Sequence, residues 1–322
     1  MSETFVVTGG AGFIGSHLVE RLLHDGCTVR VIDNFLTGRR ANVQHLSDDA
    51  ALNARLSIHE VSITDLEAIV PVIDGADYVL HHAALPSVPR SVADPLETHA
   101  HCVTGTLNVL EAARRTGVKR VVYASSSSIY GDIEGDAKIE TMPPQPKSPY
   151  GAAKLAGEYY CRVFSETYGL ETVSLRYFNV FGPRQDPMSE YAAVIPKFIA
   201  LMLDDRPPLI YGDGTQSRDF TFVENVVEGN LLAARTPGVG GSYMNLATGG
   251  RITLLDLVDQ LNGLLGSHWE AVHEPERTGD IKHSRASIDK AQALLGYQPL
   301  VDFETGLART VAWFEAQTIA NE

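Results

Sequence analysis

Two residues near the middle of the chain, Tyr150 and Lys154, have the types and the spacing for acid–base chemistry. They are four positions apart in a predicted helix, so their side chains share one face. An ammonium group beside a phenol favours the phenolate and lowers the tyrosine pKa from its usual value of about 10. Such a tyrosine can move a proton on and off an alcohol or sugar hydroxyl. A serine run at 125–128 ends a predicted strand, where open α/β sheets place ligands, and a serine hydroxyl there can donate to the substrate oxygen.

A glycine-rich turn near the start of the chain predicts a nucleotide site. Gly9, Gly12 and Gly15 follow a predicted strand and open a predicted helix. The missing side chains let the backbone approach a pyrophosphate, and the helix N-terminus offers unpaired amides and the positive end of its dipole. Asp33 ends the next predicted strand, 18 residues after Gly15. A carboxylate there accepts hydrogen bonds from an adenosine ribose and repels a 2′-phosphate, which predicts NAD as the cofactor.

Arg39 and Arg40 follow Asp33 closely and leave one alternative open. Two arginines at this place could instead accommodate the 2′-phosphate of NADP. We prefer the interpretation that they are solvated residues at the start of a helix, which keeps NAD as the predicted cofactor.

Short β-branched runs alternate with longer helical patterns through the first half of the chain. The predicted strands are Thr4–Thr8, Thr28–Ile32, Arg55–Glu60, Asp77–His82, Lys119–Ser125 and Thr172–Tyr177. The predicted helices are Phe13–His24, Asp65–Ile73, Glu97–Thr116 and Gly151–Tyr168. This alternation predicts an α/β fold of the Rossmann type, a doubly wound parallel sheet with right-handed crossovers and helices on both faces.

The pattern changes after Tyr177, where prolines cluster and strand signals become sparse. We expect a dinucleotide-binding domain in residues 1–176 with returns near 221–246. A smaller α+β domain that binds the substrate is expected in residues 177–220 and 247–322.

Composition and charge exclude several classes of protein. The chain has 322 residues and a net charge of −14, which disfavours nucleic acid as a partner. Three widely spaced cysteines predict neither a disulfide framework nor a metal site. Since no long apolar run and no signal peptide are visible, we expect a cytoplasmic protein without a membrane partner.

Taken together, these motifs resemble the extended short-chain dehydrogenase/reductase family, and within it the NAD-dependent nucleotide-sugar epimerases and dehydratases. The resemblance runs nearly end to end through Gly9–Gly15, Asp33-Asn34, His82-Ala83-Ala84, Ser125–Gly131, Tyr150–Lys154, Arg176–Gly182, Gly212–Asp219 and Arg277–Asp280. It implies that Tyr150 is the acid/base, that Lys154 holds the nicotinamide ribose and polarises Tyr150, and that Ser126 directs the hydroxyl. It also implies NAD contacts from Gly9, Gly12, Phe13, Ile14, Gly15, Asp33, Asn34, Gly38, Ser62, Ile63, Ala83, Tyr150, Lys154 and Tyr177.

The residues between Ser126 and Tyr130 distinguish the reactions of this family. By this resemblance, sugar 4,6-dehydratases carry an Asp-Glu pair where this chain has Ser127 and Ser128. UDP-glucuronate decarboxylases usually carry a glutamate at the position of Ser128. Without a second carboxylate, elimination of water has no evident general acid. Hydride transfer with one proton relay remains, which is what a 4-epimerase acting through a 4-keto sugar requires. The closest likeness is to UDP-hexose 4-epimerases.

The same resemblance implies UDP-sugar contacts from Ser87, Ser126, Ser127, Asn179, Val194, Tyr211, Arg218, Arg277, Asp280 and Ser284. Ser284 is the counterpart of a side chain that limits the room beside the sugar C2, and a small serine leaves space for an N-acetyl group. We therefore expect conversion of UDP-N-acetylglucosamine and UDP-N-acetylgalactosamine, alongside UDP-glucose and UDP-galactose. UDP-glucuronate 4-epimerisation and a net nucleotide-sugar oxidoreductase remain the alternatives.

Two positions depart from the family pattern. Ser62 stands where an aspartate usually contacts the adenine amine, and Cys102 stands where an asparagine is common. The resemblance also implies a homodimer, since the predicted helices 97–116 and 151–168 carry apolar residues on more than one face and the family pairs the equivalent helices.

Overall fold

The computed structural model describes residues 2–133, 135–187, 193–276 and 282–321. In chain order its strands are β1 (Thr4–Thr8), β2 (Thr28–Ile32), β3 (Leu56–His59), β4 (Tyr78–His81), β5 (Arg120–Ser126), β6 (Glu171–Tyr177), β7 (Val180–Phe181), β8 (Leu209–Tyr211), β9 (Ser217–Arg218), β10 (Thr221–Phe222), β11 (Ser242–Leu246), β12 (Ile252–Thr253), β13 (Val272–Glu274) and β14 (His283–Ser284).

The α-helices connect and cover these strands. They are α1 (Phe13–His24), α2 (Ala41–Asp48), α3 (Ala50–Asn53), α4 (Leu66–Ile73), α5 (Val88–Ala93), α6 (Pro95–His99), α7 (Gly105–Thr116), α8 (Pro149–Tyr168), α9 (Val194–Leu203), α10 (Val223–Arg235), α11 (Leu254–Leu265), α12 (Asp289–Leu295) and α13 (Phe303–Asn321). Among the described residues, no helix combines the length and the apolar character that a membrane span needs.

A parallel sheet of seven strands forms the centre of the described structure, in the order β11-β6-β5-β4-β1-β2-β3. The predicted α/β fold is confirmed, and the chain returns to this sheet through β11 after leaving it at β6. The strand order reverses between β1 and β4. In such sheets the ligand lies outside the carboxyl ends of the strands at that switch point.

Both faces of the sheet are buried, because the side chains of each strand point alternately to two helical layers. One face packs against α1, α2, α10 and α12 through residues such as Leu18, Leu46 and Leu231. The other face packs against α4, α7 and α8 through Ile69, Leu110 and Phe164. The central strands are therefore held from both sides, which fixes the positions of their carboxyl ends.

A second apolar core lies outside the sheet layers and is built mainly from the later part of the chain. It joins α9, α11 and α13 to the short strands β7, β8 and β10, with Phe198, Leu257 and Leu307 fully or almost fully buried. The small sheets of the later part, β12-β9-β14 and β13-β8, connect segments that are far apart in sequence.

The structure differs from the sequence prediction most clearly at 97–116, which we expected to be one helix. It is divided into α6, a π-helical segment at Ala100–Thr104, and α7. The Thr106 hydroxyl donates to the Cys102 carbonyl oxygen, a bond of the kind that bends helices. Gly105 then lies so close to Ile63 that a Cβ would be 2.6 Å from its Cδ1. Close packing against Ile63 is a long-range contact that helical periodicity does not reveal.

Candidate active site

A cavity of about 730 Å³ opens at the carboxyl ends of the central strands, at the predicted switch point. It brings together residues from the turn after β1, the end of β2, the segment after β4, the end of β5 and the start of α8. All but one of the predicted cofactor residues line it: Gly9, Gly12, Phe13, Ile14, Gly15, Asp33, Asn34, Gly38, Ile63, Ala83, Tyr150, Lys154 and Tyr177.

The turn between β1 and α1 has a backbone path that only glycine allows. Gly9 has a φ of +69°, and a Cβ on Gly15 would lie 2.1 Å from the Gly9 carbonyl oxygen. Gly12 is the N-cap residue of α1, and no side chain caps the backbone N–H groups at the start of this helix. A pyrophosphate finds there the close backbone approach and the positive helix end that it needs. The turn therefore fits the diphosphate of a dinucleotide.

Asp33 lies at the wall of the cavity, where β2 ends. Its carboxylate accepts hydrogen bonds from the Ala11 N–H at 2.9 Å and the Phe35 N–H at 2.8 Å. Burial raises the pKa of Asp33, and these two hydrogen bonds oppose that rise. Gly38 passes so near that a Cβ would be 2.7 Å from both carboxylate oxygens. The carboxylate is thus held in one place, as contact with an adenosine ribose requires.

Both arginines that could have favoured NADP are already paired with carboxylates. Arg39 forms an ion pair with Asp186 at 2.5 Å. Arg40 pairs with Glu60, and its guanidinium lies 4.0 Å from the centre of the Phe35 ring. Since each guanidinium has a carboxylate partner, the cavity with Asp33 fits NAD better than NADP, as the sequence predicted.

Ser62 is the predicted cofactor residue that the cavity leaves out. Its hydroxyl is hydrogen-bonded to the Thr64 hydroxyl at 2.8 Å, and it also accepts from the Thr64 N–H. Its contact with the adenine of a bound dinucleotide therefore stays a prediction. Cys102, the other departure, is buried against Leu85, whose carbonyl oxygen accepts from its thiol at 3.8 Å.

The candidate catalytic side chains meet where α8 begins beside the end of β5. The Ser148 hydroxyl caps α8 by accepting from the Gly151 N–H at 3.1 Å, so Tyr150 lies in the first turn and Lys154 in the next. Lys154 is only 4% exposed, and its ammonium donates to the Ala124 carbonyl oxygen at 2.7 Å. Ser126 at the end of β5 is near enough to the Tyr150 hydroxyl to affect its pKa. The three predicted catalytic residues therefore share one site.

The structure corrects the expected pKa of Tyr150. Burial raises that pKa above its usual value, and the hydrogen bond to Ser126 only partly opposes the rise. Lys154 does not lower it as spacing alone had predicted, because its ammonium bonds to the Ala124 carbonyl and stands 5.8 Å from the centre of the tyrosine ring. Burial also lowers the pKa of Lys154. Loss of solvent outweighs the effect of the neighbouring charge on the phenol.

The predicted substrate residues are distributed differently. Ser284 on β14 is in parallel register with Arg218 on β9, and Asn179 donates from its side chain to the carbonyl oxygen of Asp219 at 3.2 Å. The structure thus brings Asn179, Arg218 and Ser284 into one neighbourhood. Arg277 and Asp280 lie outside the described residues.

The remaining predicted substrate residues stand on separate elements. Ser87 caps α5 with a φ of +144°, and Ser127 begins a short 3₁₀ turn after β5. Val194 starts α9, and Tyr211 ends β8. Of the ten residues named for the substrate, none that the structure describes lines the 730 Å³ cavity, so their contacts with a UDP-sugar remain predictions.

Sequence reasoning missed several side chains that line the cavity, namely His82, Arg90, His101, Arg184 and Asp186. His82 carried a signal, because it follows β4 directly at the switch point. Its Nε2 is bonded to the Tyr177 hydroxyl at 2.9 Å, and burial lowers its pKa to about 3. Arg90 and His101 gave no signal, since they stand on α5 and on the π-helical segment, neither of which the sequence pattern predicted.

Comparison with known proteins agrees with this geometry. The sequence model of the NAD dependent epimerase/dehydratase family matches residues 5–247. A protein of Methanocaldococcus jannaschii, described as a putative UDP-glucose 4-epimerase, is 36% identical over 311 residues, which cover 96% of this chain and 98% of that protein.

Two solved structures are similar over nearly their whole length. The UDP-N-acetylglucosamine 4-epimerase from Methanobrevibacter ruminantium, in complex with UDP-N-acetylmuramic acid, is 40% identical with a TM-score of 0.92, covering 98% of this chain and 100% of that one. The UDP-glucuronic acid 4-epimerase from Bacillus cereus, in complex with UDP-glucuronic acid and NAD, is 33% identical with a TM-score of 0.88, covering 98% of this chain and 99% of that one.

Proposed function

This chain belongs to the NAD-dependent epimerase/dehydratase family, and within it we propose a 4-epimerase that interconverts UDP-N-acetylglucosamine and UDP-N-acetylgalactosamine, with UDP-glucose and UDP-galactose as a second pair. The observation that carries the proposal is the joint location of two sites. Tyr150 and Lys154 line the same cavity as the glycine turn and Asp33, at the carboxyl ends of the same sheet.

The chain's own residues supply the acid–base part of the reaction. NAD held by the glycine turn and Asp33 would supply a reversible acceptor for the hydride of the sugar C4. Tyr150 takes the proton of the C4 hydroxyl, which leaves a 4-keto sugar, and gives it back after the sugar has turned over. Ser126 lies beside Tyr150 and can donate to the same sugar oxygen. Lys154, fixed by the Ala124 carbonyl, lies one turn from Tyr150 on the same helix face, where the family resemblance has it hold the nicotinamide ribose.

Ser127 and Ser128 favour epimerisation over dehydration. In the family resemblance these are the positions of the acid pair that expels water from the sugar. Neither serine can act as a general acid near neutral pH, because a hydroxyl holds its proton too tightly. Epimerisation needs no such group.

Ser284 supports the acetamido substrates. Its small side chain is on β14, in register with Arg218, the predicted phosphate ligand. The family resemblance places this side chain beside the sugar C2, where a serine leaves room that a tyrosine would fill. The similarity to the Methanobrevibacter ruminantium enzyme is in line with this choice of substrate.

The test is an isomerisation assay with the purified protein and no added cofactor. UDP-N-acetylglucosamine, UDP-glucose and UDP-glucuronate are supplied separately, and the products are separated by chromatography. We expect the galacto isomers of the first two sugars. Conversion of UDP-glucuronate alone would move the proposal to the alternative 4-epimerase, and accumulation of oxidised sugar with reduced cofactor would make the protein a net oxidoreductase.

We also propose that the protein forms a homodimer through α5, α6 and α8. Exposed apolar side chains on these helices support it: Val92, Leu96, Tyr159 and Val163 are 65%, 81%, 55% and 47% exposed. Other apolar residues of the two helices predicted at 97–116 and 151–168 do not contribute, since Val109, Leu110 and Phe164 pack into the protein's own core. Sedimentation of the wild type and of Val163→Glu tests the proposal, and a wild type that remains monomeric at micromolar concentration would contradict it.

A further inference from the structure

A buried ion pair lies directly behind the candidate catalytic group. Arg176 on β6 is 2% exposed and Glu158 on α8 is 6% exposed. The Arg176 Nε and Nη2 donate to the two carboxylate oxygens at 2.9 and 2.8 Å, and its Nη1 donates to the Tyr130 hydroxyl at 2.8 Å. The Arg176 guanidinium and the Glu158 carboxylate therefore neutralise each other inside the protein, and three hydrogen bonds fix the orientation of the guanidinium.

The Glu158 carboxylate has one further partner, which connects it to the catalytic end of β5. The Ser125 hydroxyl donates to Glu158 Oε1 at 2.5 Å, and Ser125 is 3% exposed. Ser125 stands between Ala124, whose carbonyl oxygen accepts from Lys154, and Ser126, the predicted catalytic serine beside Tyr150. The serine held by Glu158 is therefore the residue between the two catalytic contacts of β5.

One face of α8 carries three groups that lie at this strand end. Tyr150, Lys154 and Glu158 follow each other at intervals of four residues on α8, so they occupy three successive turns of one face. Arg176 is in register with Ser125 on the neighbouring strand, which lets the guanidinium hold Glu158 from the side. The pair anchors the helix face to the strand at a point one turn beyond the lysine.

Stability alone is a poor explanation for this pair. Removing two charges from water is costly, and apolar residues of similar volume often stabilise a core as well or better. We propose that Glu158 is a positioning residue: held by Arg176, it fixes Ser125 and so sets the distances of Ser126 and the Ala124 carbonyl from Tyr150 and Lys154. The kinetic effect of this arrangement rests on the proposed 4-epimerase function, while the geometric effect does not.

Ser125→Ala is the decisive variant, because it removes the link to Glu158 and leaves the buried ion pair intact. Ser174→Ala is its matched control, since Ser174 is a serine of the neighbouring strand β6 that is 2% exposed and does not line the 730 Å³ cavity. With the enzyme as purified with its cofactor, we expect Ser125→Ala to lower kcat about 10- to 100-fold, the loss that a displacement of about 1 Å produces. Its KM should stay within about two-fold, because bulk substrate binding is not changed.

A second variant tests the carboxylate itself. Glu158→Gln leaves the Arg176 charge without its counterion, so it should lower both kcat and the midpoint of thermal unfolding. Ser125→Ala should lower only kcat. Crystal structures of the wild type and both serine variants with bound NAD should show a longer distance between Ser126 Oγ and Tyr150 Oη in Ser125→Ala alone.

The outcomes separate this inference from the proposed function. A wild type that converts none of the three UDP-sugars would remove the 4-epimerase function and leave the Ser126–Tyr150 distance to decide the positioning role. If Ser125→Ala leaves both kcat and the Ser126–Tyr150 distance unchanged, the positioning role is overturned. An equal loss of kcat in Ser174→Ala, or a loss in Ser125→Ala expressed only as a higher KM, would overturn the positioning role as well.

Discussion

The cofactor side and the proposed sugar side of this protein are built in contrasting ways. On the cofactor side, the glycine turn, Asp33 and the Tyr150–Lys154 pair each come from a short stretch at the end of a strand or the start of a helix. On the sugar side, Asn179, Arg218 and Ser284 come together only because β9 pairs with β14 and Asn179 bonds to the segment after β9. The first kind of site is specified locally, and the second by long-range pairing.

The contrast has a physical origin. In a doubly wound sheet the carboxyl ends of the parallel strands lie along one edge whatever the loop sequences are. A motif at such a strand end is therefore placed at the binding site by the sheet itself. Two-residue strands such as β9 and β14 have little intrinsic preference for pairing. They are held by tertiary bonds, among them those of the buried Asp219 carboxylate with Thr248 and Gly249. We therefore expect changes on the cofactor side to act on turnover and cofactor binding, and changes on the sugar side to act on substrate choice.

The largest effect is expected for Tyr150→Phe. Removing the phenolic hydroxyl deletes the acid/base group, so kcat should fall by at least about 100-fold, while the KM for the UDP-sugar changes little. Steady-state isomerisation assays with both pairs of UDP-hexoses measure this. Near-full activity would remove Tyr150 from the mechanism and with it the claim that chemistry resides on the cofactor side.

Gly15→Ala should come next. Its Cβ would meet the Gly9 carbonyl oxygen at 2.1 Å, so the turn must open and NAD affinity should fall at least about 10-fold. The bound NAD retained through purification and the affinity of the stripped protein are measured. Gly263→Ala in α11 is the matched control, since nothing lies within 4 Å of the new Cβ. It should retain NAD and gain up to about 1 kcal/mol of stability.

Ser284→Tyr tests the sugar side. A phenol in this place should reduce kcat/KM for UDP-N-acetylglucosamine at least about 10-fold, because overpacking of a filled pocket is unfavourable. UDP-glucose conversion should remain within about three-fold. Ser284→Ala should keep both substrates. If Tyr lowers activity on the two sugars equally, Ser284 has no role in discrimination by size.

The smallest effect is expected at the edge of the cofactor cavity. Asp186→Asn leaves Arg39 without its carboxylate, which should increase the affinity of the stripped protein for NADP by up to about five-fold, the scale of an exposed ion pair. Titrations with NAD and NADP measure the ratio. Glu60→Gln applies the same change to Arg40. A fall in NADP affinity in both variants would show that the ion pairs do not restrict the arginines.

Much of the cofactor side could be predicted from sequence. β1, α1 and β2 have the predicted bounds, and the glycines, Asp33, Tyr150 and Lys154 line one cavity. Ser62 does not line the cavity, and its hydroxyl bonds to Thr64 within its own turn, a contact that family likeness does not reveal. The π-helical segment and α5 were missed, since tertiary packing rather than periodicity produces them.

By itself the sequence determined the alternation of strands and helices, the glycine turn, and the placement of Tyr150 and Lys154 on one helical face. These features depend on backbone conformations and spacings within a few residues. Only the tertiary structure decided the pairing of Arg39 with Asp186, the Arg176–Glu158–Ser125 link, and the higher rather than lower pKa of Tyr150. Each of these depends on groups distant in sequence, or on the loss of water around a side chain, and neither is contained in residue spacing.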